Sequence, residues 1–169
     1  MKKSIGLALA LTIVACGNAK VDETTSSDPP GEDTSRSVSV RLLGVRGAGP
    51  VRVQVSTIEL SVDGTPFPVQ RGGSEIDLGN DQSAWAVSTF DLPPDARKVS
   101  FKVKFHPAGV IERDGKSQLL DLNGPPISVL ADAEQLRLRK KVVVEIDLAR
   151  SLVEFGEQVF LFPEFIVRY

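Results

Sequence analysis

The chain has 169 residues, 41% of them hydrophobic and 25% charged, an ordinary globular balance that excludes wholesale disorder. A formal net charge of −2 offers no global field for nucleic acid. One His, one Cys, one Tyr and one Trp leave little material for catalysis.

Met1-Lys2-Lys3 is a short basic start, and Ile5 to Val14 is a largely apolar run. Ten helical residues span roughly 15 Å, about half a bilayer core, so the run suits a signal h-region better than a membrane span. It ends in Ile13-Val14-Ala15-Cys16, which resembles the lipobox of bacterial lipoproteins. That resemblance implies a signal peptide over residues 1–15, a diacylglyceryl group on the Cys16 thiol and an acylated new amino terminus. Several acyl chains together give stable anchoring where one gives only marginal binding. An ordinary secretory signal leaving a free Cys16 is the alternative. Gly17 stands where Asp resembles an inner-membrane retention signal, so the expected address is the outer membrane. Residues 16–36 form an expected tether, with Val21 as the only large apolar residue after the Cys. Such a segment buries too little to offset its ordering entropy.

The remaining stretch, residues 37–169, carries 16 basic and 17 acidic residues and reads as β throughout. Val38, Val40 and Leu42 alternate with polar residues and predict a half-buried strand, followed by the Gly-rich stretch Gly44 to Pro50. Val51, Val53 and Val55 alternate, and Ile58, Leu60 and Val62 continue in the opposite phase, which predicts a β-bulge near Ser56-Thr57. Asp63-Gly64-Thr65-Pro66 is a turn before a short return strand at Phe67 to Val69. Further turns at Arg71-Gly72-Gly73 and Gly79-Asn80-Asp81 flank Ile76 to Leu78. Trp85 to Leu92 reads as a strand stopped by Pro93-Pro94.

Lys98 to Phe105 alternates most clearly, with Val99, Phe101, Val103 and Phe105 inward. Asp114-Gly115 between Val110-Ile111 and Leu119 to Leu122 predicts a hairpin. Leu136, Leu138, Val142, Val144, Ile146 and Leu148 are all even-numbered and predict one long strand or two collinear ones, with a break at Lys140. Asp147 as N-cap, an apolar stripe of Leu148, Leu152 and Phe155, and Gly156 predict one short helix. Val159 to Phe162 and Phe165 to Tyr169 are the expected last strands. The expected class is all-β, a sandwich of about eight to ten short strands with one short helix near the C-terminus.

The segments Val55-Ser56-Thr57-Ile58-Glu59-Leu60, Phe90-Asp91-Leu92, Ile146-Asp147-Leu148-Ala149-Arg150-Ser151-Leu152 and Leu161 to Val167 around Pro163 together resemble a family of uncharacterised bacterial lipoproteins, catalogued as a domain of unknown function. The resemblance implies a sandwich fold and a surface location, and no activity.

Candidate chemistry is sparse. A Ser or Cys nucleophile needs a positioned base, typically His, and His106 stands alone at a strand end before Pro107. Glu59, Glu145 and Asp147 read as a solvated face and a helix cap rather than a glycosidase pair. Asp77 with Asn80 and Asp81 offers oxygen ligands on a turn, as Ca²⁺ prefers, and His106 with Glu112 and Asp114 is a second weak metal set. Neither has the spacing of a metal site, so no metal or cofactor is expected. The strongest signal outside the core is basic. Lys98, Lys102 and Lys104 share one strand face, and Arg137, Arg139 and Lys141 share the outward face of the strand read over Leu136 to Leu148. On neighbouring strands these six would form an anion-binding patch, whereas lysine-rich strand faces also serve to discourage edge aggregation. The expected function is a lipid-anchored, non-enzymatic binding domain at the outer membrane, held by the lipid on Cys16. Its expected partner is an envelope glycan, a glycolipid or a protein. The alternative is a small hydrolase with a carboxylate-based site.

Overall fold

The computed structural model describes residues 36–169, so the expected signal, the Cys16 lipid site and all of the tether but Arg36 lie outside the described residues. Among the described residues no helix is long and apolar enough to cross a membrane.

Two sheets share one hydrophobic core, which bears out the all-β reading. The first sheet is built around strand β1 (Ser37–Val45). It runs parallel to β11 (Lys141–Asp147) on one side and antiparallel to β6 (Trp85–Asp91) on the other. β14 (Phe165–Arg168) closes one edge on β11, and the two-residue β4 (Gln70–Arg71) closes the other on β6. Val38, Val40 and Leu42 of β1 and Val142, Val144 and Ile146 of β11 point into the core and are buried. Their alternation with half-exposed neighbours is the period-two pattern of a sheet with one face in the core.

The second sheet is organised on β2 (Val51–Val62). β7 (Lys98–Phe105) and β8 (Ala108–Arg113) pair antiparallel with its two halves, and β3 (Thr65–Phe67) and β5 (Glu75–Asp77) also pair with it. The register of β2 on β7 shifts between Val55 and Thr57, where the sequence phase flips. Asp63 and Gly64 both take positive φ, 49° and 84°, so the β2–β3 hairpin turns on two left-handed residues. Asp114 and Gly115 do the same, at 49° and 72°, between β8 and β9 (Lys116–Asp121). β10 (Ile127–Asp132) pairs with β7, and the hairpin of β12 (Leu152–Phe155) and β13 (Gln158–Leu161) extends the sheet beyond β9.

Among the described residues fourteen strands form where eight to ten were expected. Three arise where no strand is expected: the two-residue β4, β10, and β12 in the segment expected to be helical. His106-Pro107 separates β7 from β8. Proline has no N–H to give a ladder, which accounts for the break at Pro107.

Two expectations fail. Residues 133–139 are not a strand but helix α1 (Ala133–Arg139). Asp132 caps it, its side chain accepting from the N–H groups of Glu134 and Gln135, and Lys140 ends it in a left-handed conformation at φ 56°. Leu136 and Leu138 share their even parity with Val142 to Ile146, but parity does not distinguish them here. Ala133 and Leu136, three apart, are the buried pair, and Leu138 is 69% exposed. The helix expected after Asp147 shrinks to the single turn α2 (Leu148–Ser151). Leu152 and Phe155 belong instead to β12, and Gly156, at φ 63°, lies in the turn of its hairpin.

Candidate functional site

The six cations expected on one face are divided by this fold. Lys98, Lys102 and Lys104 lie exposed on β7 in the second sheet, and Lys141 lies on β11 in the first. Arg137 and Arg139 belong to α1, so the outward strand stripe of Arg137, Arg139 and Lys141 does not exist. The Arg137 guanidinium donates to the carbonyl of Ala96. On β7 the cross-strand partners of Lys98 and Lys102 include Asp132 and Glu59, so opposite charges stand beside two of the three lysines.

The two weak metal sets also dissolve into structure. Asp77 Oδ1 accepts from the N–H groups of Val51 and Gly79, both at 2.9 Å, and its carbonyl accepts from Trp85 Nε1. That carboxylate fixes the turn that follows β5. Asn80 caps its own turn through the N–H of Gln82. His106 is separated from Glu112 and Asp114 by the length of β8, roughly 20 Å for six residues. Glu112 is paired with Arg52 at 2.9 Å. Among the described residues no group of three or more His, Cys, Asp or Glu side chains is placed to hold a metal ion.

A concavity opens instead on the solvent face of the first sheet, at the C-terminal ends of the parallel strands β1 and β11. It measures about 700 Å³, within the usual range of ligand pockets. The register explains its position. Val45 is the partner of Asp147, and Glu145 stands between Leu43 of β1 and Ile166 of β14. Glu145 and Asp147, two apart on one strand, therefore project from the same face. Arg46 follows directly on β1 and takes a left-handed backbone at φ 58°. Arg150 comes from α2, and Glu164 with Pro163 comes from the link into β14.

The charges are matched. The Arg46 guanidinium pairs with Asp147 Oδ2, and Arg150 Nε reaches the same oxygen at 3.5 Å. Arg168 Nε pairs with Glu145 at 2.5 Å, and an Arg150 terminal nitrogen lies 4.0 Å from Glu164. The carboxylates of Glu145 and Asp147 lie low, at 16% and 11% side-chain exposure, while the three guanidiniums stand above them at 60% or more. Asp147 Oδ1 is buried and has no hydrogen-bond partner. Although Asp147 holds the N-cap position of α2, its side chain makes no capping bond. Ser151 braces the rim from behind, its Oγ accepting from the N–H of Glu164 at 2.9 Å.

Sequence reasoning missed this cluster. In the sequence Glu145 and Asp147 read as a solvated face and a cap, and Arg46, Arg150 and Arg168 carry no motif. The readable signal was the run Glu145-Ile146-Asp147-Leu148-Ala149-Arg150, which puts two carboxylates on one strand face and an arginine one helical turn beyond. No family model, curated protein or solved structure matches the chain.

A second surface is apolar. On the outer face of the second sheet Val110 is the cross-strand partner of Leu119, and Val153 that of Phe160. Phe160 stacks on Phe162 with ring centroids 6.1 Å apart, and Phe155 is 80% exposed nearby on β12.

Proposed function

We propose that this chain is a lipid-anchored envelope lipoprotein whose all-β domain is a non-catalytic binding module, with the concavity at Glu145 and Asp147 as its site. The observation that carries the reading is the place of that concavity. It adjoins Val45 at one end of β1, while the chain enters the domain at Ser37, at the other end of the same strand. Nine strand residues span roughly 30 Å. A lipid on Cys16 would therefore tether the domain from the end remote from its site. The lipobox at Ile13 to Cys16, Gly17 after it and the resemblance to uncharacterised lipoproteins favour the bacterial outer membrane.

Two experiments test the reading. Cells fed a fatty-acid analogue label the wild type and not Cys16→Ser; equal labelling removes the anchor. Purified chain carrying Cys16→Ser, and so without lipid, co-sediments with isolated envelope fractions, and adding Arg46→Gln, Arg150→Gln and Arg168→Gln abolishes that retention while keeping the far-UV spectrum. Unchanged retention removes the site.

One observation favours a second reading, a small hydrolase. Glu145, Asp147 and Glu164 line the same concavity, as a carboxylate-based mechanism requires. Against it, each of the three faces a guanidinium, and no Ser, Cys, His or Lys stands among the lining residues. Release of new reducing ends from a bound oligosaccharide, lost in Glu145→Gln or Asp147→Asn, would establish the hydrolase.

A further inference from the structure

We infer that the concavity takes a neutral, polyhydroxylated ligand, a saccharide gripped through its hydroxyl groups. The inference rests on the binding-module reading and adds the chemical class of the ligand.

The first argument is charge. Arg46, Arg150 and Arg168 face Glu145, Asp147 and Glu164, three cations against three anions. A matched set has no net field to concentrate either a cation or an anion. An ionic ligand would also have to displace a partner from an existing pair. The carboxylate left behind at Glu145 or Asp147 would then be largely buried and uncompensated, which is costly.

The second argument is hydrogen-bonding capacity. A guanidinium has five N–H donors in a planar fork, and a carboxylate has about four acceptor positions. One ion pair uses at most two of each, so every pair here keeps spare donors beside spare acceptors. A hydroxyl group both donates and accepts. Two adjacent hydroxyls can therefore accept from the arginine and donate to the carboxylate of one pair without breaking it. Asp147 Oδ2, which meets both Arg46 and Arg150, is such a shared acceptor.

The third argument is the apolar lining. Val45, Pro163 and Ile166 share the concavity with the ion pairs. A pyranose ring has a face of C–H groups as well as a rim of hydroxyls, so one ring uses both kinds of wall. A free phosphate or a simple carboxylate uses only one.

The test is calorimetric titration of the full chain with maltotriose, cellotriose and chitotriose, set against trigalacturonate as an anion and chitosan trimer as a cation. Amide shifts of Val45, Arg46 and Ile166 report the location. At least one neutral trimer is expected to bind there with an affinity unaffected by high salt. Asp147→Asn, which turns an acceptor-only group into one that also donates, is expected to weaken it about ten-fold. Ile166→Ala, outside the ion pairs and on the same strand face as Arg168, is expected to weaken it as well, and gives a reading should Asp147→Asn fail to fold. Binding of the charged trimers alone, abolished by salt, would overturn the neutral class. Failure of every neutral trimer would overturn the saccharide, while arginine-dependent envelope co-sedimentation would still uphold the binding module. Loss of both would remove the module too.

Discussion

Gly44 lies inside β1 where the backbone passes against Leu78, and a Cβ there would run into the Leu78 carbonyl. The obstacle is main chain on both sides, so neither partner can swing away. Gly44→Ala is expected to cost about 3 kcal/mol or more in a urea melt. Gly64→Ala meets nothing within 4 Å, and its cost of about 1 kcal/mol comes only from the left-handed backbone at φ 84°. A second contrast sits on β7. Phe101 is 1% exposed, and Phe101→Ala is expected to lose about 3–5 kcal/mol. Ser100 faces outward, yet its Oγ lies 2.7 Å from that of Ser61 across the ladder. Ser100→Ala is therefore expected to cost about 0.5–1.5 kcal/mol, more than an uncoupled surface position would. Alternation reveals which way Ser100 points but not what it touches, because the partner lies 39 residues away.

At the scale of elements, α1 rests on its N-cap. Seven residues are too few for a helix to persist on propensity alone, so the cap at Asp132 and the burial of Ala133 and Leu136 must supply the difference. Asp132→Ala is expected to lower stability by about 1 kcal/mol, and Asp132→Ser to restore most of it, as read from thermal melts. The contrast between α1 and β7 shows which elements the chain announces. In β7 four apolar and four polar or charged residues alternate over eight positions, so only one pairing face is possible. The bulge at Ser56-Thr57 and the Asp114-Gly115 hairpin were equally legible, each being a local event with its own residue chemistry. In α1 the spacing of Leu136 and Leu138 imitates a strand, and only the unexpected burial of Ala133 reveals the helix. The candidate site was illegible for a different reason. It exists because β1 runs beside β11, bringing Arg46 to Asp147, and no local pattern encodes a parallel pairing between segments so far apart.

At the scale of the molecule, the 32 buried apolar residues that form the core among the described residues run from Val38 to Leu161. Residues 37–169 made alone are therefore expected to fold as a β-rich unit, and a disordered far-UV spectrum would contradict this. Because β1 must wait for β11, folding is expected to take milliseconds to seconds in stopped-flow refolding, as for other folds dominated by distant pairings. The interior position of β1 also bears on mechanics. Backbone hydrogen bonds lie across the strand direction, and β1 is bonded to β6 on one flank and β11 on the other. Tension applied at Ser37 against a weight held beside Val45 would load both rows of bonds in shear, all together, instead of unzipping them singly. The edge strand β14 has one row only. A chain moored at its amino terminus and gripping something at the opposite end would thus be towed by the strand most able to bear the load.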